Sequence, residues 1–186
     1  LRGAVTAATI VANSAPAAAR RPPSARAAAD RLASRMGPVS AEIDVDAPRE
    51  RVFAILADLS NRPAFCDHFQ HEFRLQRIDP AGVGAAARFR VEAPFFHFWM
   101  ETVLESIEAP HLIVEGGRGA RIDRMAVGTA WELSEAGGGI TDVRVSFWTE
   151  PEHHLDRLKD ALMPAGWHRR QWRRALARLR DIAEGD

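Results

Sequence analysis

The chain has 186 residues, enough for one domain with a full hydrophobic core. Its 25 basic and 25 acidic residues cancel, so no net field draws it toward nucleic acid or an anionic surface. Cys66 is the single cysteine, which excludes an internal disulfide and a cysteine-based zinc site and fits a reducing cytoplasm; no apolar run reaches the roughly 20 residues of a membrane span.

Residues 1–35 are mostly Ala, Arg, Pro and Ser, without an aromatic side chain or a sustained apolar period. They are expected to stay outside the fold, because they cannot bury enough surface to offset the entropy of ordering. The opening LRGAVTAATIVANSAPAAA carries a faint secretory-signal pattern, but threonines dilute its apolar stretch and one arginine flanks it. The preferred reading places the start of the domain at Met36, just before GPVSAEIDV, so that the domain spans 36–186.

From Val39 the pattern becomes regular. VSAEIDVDAP alternates Ala41, Ile43 and Val45 against Glu42, Asp44 and Asp46, which predicts a strand with one wet face. APRERVFAILADL switches period: Pro48 lies near a helix start, and Val52, Phe53, Leu56 and Leu59 form an apolar stripe. SNRP ends that helix, and AFCDHF has the length of one further turn. Strands are then predicted in EFRLQRI, ARFRVEA, FHFWMETVLESIE, HLIVEGG, MAVGTAWELSE and ITDVRVSFWTE, separated by Gly- and Pro-containing turns. HLIVEGG is read as short, running into a glycine-rich loop. From His153 onward Leu155, Leu158, Leu162, Trp172, Leu176, Leu179 and Ala183 recur at helical spacing, with a break expected at Pro164 and Gly166. A strand, two helices, about six hairpin-linked strands and one long helix make an α+β protein, its curled antiparallel sheet covered by the last helix.

The stretch VDAPRERVFAILAD (Val45 to Asp58) resembles the opening of the helix-grip superfamily, often called SRPBCC or START-like. This group includes Bet v 1-type allergens and polyketide cyclase/dehydrase-like proteins. ETVLESIEAPHLIVE (Glu101 to Glu115) is similar to the middle strands of that fold, and RRQWRRALARLRDI (Arg169 to Ile182) to the closing helix of bacterial members. The resemblance implies a cavity between sheet and long helix that holds an apolar ligand. It implies no fixed catalytic set, since the fold serves carriers and enzymes alike.

Several motifs offer chemistry. In PFFHFWMET, alternation sends Phe96, Phe98, Met100, Thr102 and Leu104 inward and leaves His97 and Glu101 outside; a slip of one residue after Pro94 would reverse this. GVGAAA (Gly82 to Ala87) fits a dinucleotide fingerprint, but a strand follows it where that motif needs a helix, so it is read as a turn. EGGRGARIDR (Glu115 to Arg124) is read as a flexible loop with solvated arginines. CDHFQH (Cys66 to His71) holds a thiol and two histidines at metal-ligand spacing, without an evident third ligand. The arginines of HRRQWRRALARLR are assigned to the solvated face of a core-closing helix.

The function expected first is binding of a small or medium-sized apolar ligand, of lipid, polyketide or aromatic type. Phe65, Phe69, Phe89, Phe96, Phe98, Met100, Val127, Trp131, Val145, Phe147, Leu158 and Leu162 are expected to line the space, with Thr102 and Thr129 orienting the ligand. The second is a polyketide cyclase/dehydrase-type enzyme, for which Glu101, His97, His68 and Asp67 are the candidate acid/base groups; that no inward strand position in this register carries an ionisable side chain counts against it. The third is an interaction module with a filled core. Neither a cofactor nor a resident metal is expected, and the expected partner is the small ligand and not nucleic acid.

Overall fold

A computed structural model of the chain describes residues 39–94, 97–119, 125–150 and 165–185. The expectations for the first 35 residues and for Phe96, Leu155, Leu158 and Leu162 therefore lie outside the described residues. Strand β1 (Val39–Val45) leads into helix α1 (Arg49–Ala57), a 3₁₀ turn (Leu59–Asn61) and helix α2 (Arg62–Cys66). Strands β2 (Gln70–Leu75), β3 (Ala86–Glu92), β4 (His97–Glu108), β5 (Leu112–Gly119), β6 (Met125–Gly137) and β7 (Ile140–Glu150) follow, and helix α3 (Ala165–Glu184) closes the chain.

The helix starts follow from local chemistry. The Pro48 carbonyl accepts from Arg51 and Val52 at the first turn of α1, and Glu50 lies in that turn, where the helix dipole favours an acid. Asp58 then caps the 3₁₀ turn by accepting from Ser60 N at 2.8 Å. Pro63 sits at the start of α2, where a missing N–H costs nothing. GVGAAA is a turn: Gly82 and Gly84 have φ of 86° and 92°, a backbone that glycine adopts without strain, and β3 begins two residues later.

All seven strands form one antiparallel sheet in the order β1-β7-β6-β5-β4-β3-β2. The sheet curls into a half-barrel, and the architecture is the α+β helix-grip arrangement. Its inner rows can be read from the register. One row runs Leu104, Glu115, Thr129, Phe147, and its neighbour runs Ile113, Trp131, Val145, Ala41. Trp172, Ala175, Leu176, Leu179 and Ala183 of α3 pack on these rows in the same core as Val52, Phe53 and Leu56 of α1. Each Val, Leu or Phe among them, once buried, contributes roughly 1.5–3 kcal/mol from the apolar surface it removes from water.

One strand differs from expectation. Glu115 to Gly117, read both as the end of the HLIVEGG strand and as the start of a loop, belong to β5, which continues through Arg118 to Gly119. Ladder bonds to β4 and β6 hold these residues, and the glycines let neighbouring groups come close. A Cβ on Gly117 would lie 1.9 Å from the Glu101 carbonyl oxygen.

Candidate functional site

The site begins with a buried ion pair. Arg62 opens α2, and Glu115 projects inward from β5; both side chains are 3% exposed. Arg62 Nη2 donates to Glu115 Oε1, which also accepts from Trp131 Nε1 at 2.7 Å. Thr102 Oγ1 donates to Glu115 Oε2 at 2.9 Å. The guanidinium also lies over the rings of Trp131 and Phe65, at 5.1 and 5.6 Å from their centroids. Burial by itself would lower the Arg62 pKa, but the charge and hydrogen bond of Glu115 outweigh it and raise the pKa above its ordinary value. The guanidinium is thus held charged, and the several kcal/mol that burying an ion costs is offset by its pairing with a carboxylate that accepts three hydrogen bonds.

Beside this pair lies a cavity of about 20 Å³ between the sheet and α3, room for roughly one water molecule. Its apolar wall is Phe69, Phe89, Val91, Met100, Val127, Phe147 and Trp172; its polar wall is Arg62, Gln70, Thr102, Glu115, Thr129 and His168. His168, in the first turn of α3, stacks on Phe147 with centroids 5.0 Å apart and planes at 28°. Trp172 meets Phe69 edge-on at 5.3 Å and Trp131 at 5.5 Å, so one aromatic cluster ties the helix to β6 and the α2–β2 connection.

Of the residues expected to line this space, Phe69, Phe89, Met100, Thr102, Val127, Thr129 and Phe147 do so. Phe65, Trp131 and Val145 are buried in the core without lining this cavity, and Phe98 is partly buried against the core. Phe96, Leu158 and Leu162 lie outside the described residues. In β4 the described register turns Met100, Thr102 and Leu104 inward and leaves His97 and Glu101 exposed. The space itself is far smaller than an apolar ligand of ordinary size.

The acid/base expectation needs correction. An inward strand position does carry an ionisable side chain, that of Glu115 on β5. His97 and Glu101, two of the proposed suppliers, are exposed on the outer face. Asp67, another, pairs with Arg178. His68 is held by Gln171: its Nε2 donates to the Gln171 carbonyl at 3.2 Å, so Nδ1 is the acceptor facing Arg178 at 3.4 Å. Burial first, then the arginines nearby, lower the His68 pKa against the pull of that carbonyl and Asp67. Cys66 is fully buried, and burial pushes its thiol up to about 12, which disfavours the thiolate that a nucleophile would need. Among the described residues no three His, Cys, Asp or Glu side chains converge as metal ligands.

Sequence reasoning missed Arg62, Gln70, Glu115 and His168 as wall residues. For Glu115 the signal was available, since it stands two residues beyond Ile113 and so shares its face. Arg62 gave no such signal within SNRP. On the closing helix Arg169, Arg170, Arg173 and Arg174 are exposed as expected, whereas Arg178 is half-buried against Asp67 and His68 and Arg180 is half-buried.

A curled sheet gripping a long helix, with a small cavity of mixed polarity between them, defines a helix-grip protein. The sequence profile of the family described as polyketide cyclase/dehydrase and lipid transport matches residues 36–184, and the chain belongs to that family. Solved structures share the fold. The Zhui aromatase/cyclase from Streptomyces sp. R1128 is 15% identical with a TM-score of 0.63, covering 81% of this chain and 94% of that one. The KanY protein is 15% identical with a TM-score of 0.64, covering 81% and 100%. A conserved protein from Geobacillus kaustophilus is 11% identical with a TM-score of 0.60, covering 77% and 93%. At such identities the likeness establishes the fold alone. Among curated proteins none matches the chain. No helix among the described residues is long and apolar enough to cross a membrane.

Proposed function

We propose that this protein binds a small, largely apolar molecule between its sheet and α3. Phe89, Met100, Val127 and Phe147 would contact the ligand body, and the Arg62–Glu115 group would sit at its polar end. The observation that carries this reading is the meeting of an apolar wall with six polar side chains at one cavity, the composition of a small-molecule site. A ligand site of roughly 300–1,000 Å³ is usual, so binding requires wall side chains to move, and flexible Met100 is the first expected to do so. The buried lone cysteine supports a cytoplasmic setting. Native mass spectrometry of the protein purified from cell extract tests the reading. A small molecule retained in a fixed ratio is expected, and bare protein in repeated preparations would point instead to an interaction module with a filled core.

A second reading, cyclase or dehydratase chemistry, is favoured by a carboxylate and an imidazole in the wall. Glu115 already accepts three hydrogen bonds, so His168 is the group placed to move a proton. If this reading holds, wild-type protein converts the retained compound to a product lighter by one water and His168→Gln does not. A compound that leaves unchanged removes it.

A further inference from the structure

Three buried polar atoms of cavity-wall residues have no hydrogen-bond partner among the described residues: Arg62 Nε, Gln70 Oε1 and Trp172 Nε1. Their residues are 2%, 5% and 3% exposed, so water outside the fold does not serve them. Outside this wall, only Arg49 Nε and Arg90 Nε share that condition among the described residues. Unpartnered buried groups are expensive and few in folded proteins, so their concentration around one space the size of a single oxygen-bearing group points to a missing occupant.

The chemistry of the three atoms is specific. Two are N–H donors and require an acceptor, while the amide oxygen of Gln70 requires a donor. A hydroxyl meets both demands with one atom, since its oxygen accepts twice and its hydrogen donates once. A carboxylate cannot donate. It also gains no free cation here, because the Arg62 charge is already met by Glu115, whose own charge would repel it. A bare hydrocarbon leaves all three atoms unpaired.

We propose that the cavity selects a neutral hydroxyl, phenolic or alcoholic, at the polar end of an otherwise apolar ligand, and rejects the corresponding carboxylate. This deepens the ligand-binding reading above and rests on it. It assigns Gln70 as a specificity residue that accepts the hydroxyl proton, with Trp172 and Arg62 donating to its oxygen.

The test compares p-cresol, toluene and p-toluate by calorimetric titration near neutral pH, while the indole N–H resonance of Trp172 is followed by NMR. Expected are saturable binding of p-cresol at least about tenfold tighter than toluene, weaker binding of p-toluate than of either, and a Trp172 indole shift with p-cresol alone. Gln70→Met, which keeps the side-chain volume and removes the acceptor, is expected to erase at least about threefold of the p-cresol advantage. Toluene binding as tightly as p-cresol, or p-toluate binding more tightly, overturns the hydroxyl inference while leaving ligand binding intact. An unchanged p-cresol preference in a folded Gln70→Met overturns the role given to Gln70. If that variant does not fold, the wild-type comparison still decides the hydroxyl question. No saturable binding of any of the three overturns the inference together with the ligand-binding reading.

Discussion

Glu115 and Arg62 each make the burial of the other tolerable. Glu115→Ala leaves a guanidinium enclosed without its counter-charge, and loss of about 3–5 kcal/mol is expected in urea unfolding. Replacing both at once, Arg62→Met with Glu115→Leu, removes the stranded charge and is expected to recover most of that loss. A double variant as unstable as the single one would show that shape, not charge, sets the cost. Cys66 gives a second expectation at this scale: with its thiol raised to about 12, it should resist alkylation in the folded protein and react readily in urea. Rapid labelling of native protein would contradict that burial. At the level of single residues the sequence was least informative. A glutamate followed by two glycines looks like a wet loop, and only pairing with β4 and β6 shows that it faces Thr129 and Trp131. Arg62 is buried because Glu115 of β5 and Trp131 of β6 converge on it beside Phe65 of its own helix, and the two strand contacts leave no trace in any local pattern.

Elements were read more reliably, for a physical reason: alternation and helical spacing are local, and each element here has one wet face. The seven strands and the helix over Ala165–Glu184 follow those periods, and β4 keeps its inner face through Met100, Thr102 and Leu104. Where the reading fell short, at Gly116 to Gly119, glycines supply no apolar signal although ladder bonds continue the strand. The contact between α3 and the α2–β2 connection has its own acid sensitivity. Neutral His68 donates to Gln171 and accepts from Arg178, and its folded pKa lies below the ordinary 6.5. The unfolded chain therefore takes up a proton first. Stability is fully present above about pH 6.5 and declines as pH falls toward the folded value. His68→Gln should lose less melting temperature than wild type between about pH 7.5 and pH 5. Equal losses would place the acid sensitivity elsewhere.

For the whole molecule, the order of elements was enough to define the α+β class, because six hairpin-linked strands and a closing amphipathic helix leave few ways to bury every apolar face. The amount of space inside was not legible. It depends on how Phe89, Met100, Val127, Phe147 and Trp172 interdigitate, and they leave about 20 Å³. A few rotamer changes would decide between a filled core and an occupied one. The central claim is that the inner face of the sheet, opposite α3, takes up an apolar ligand. Titration with N-phenyl-1-naphthylamine, followed by amide NMR, tests it most directly. Saturable shifts are predicted at Phe89, Met100, Thr102, Val127, Thr129 and Trp172, while His97, Trp99 and Glu101 on the outer face stay still. Shifts confined to the outer face, or none that saturate, would contradict it.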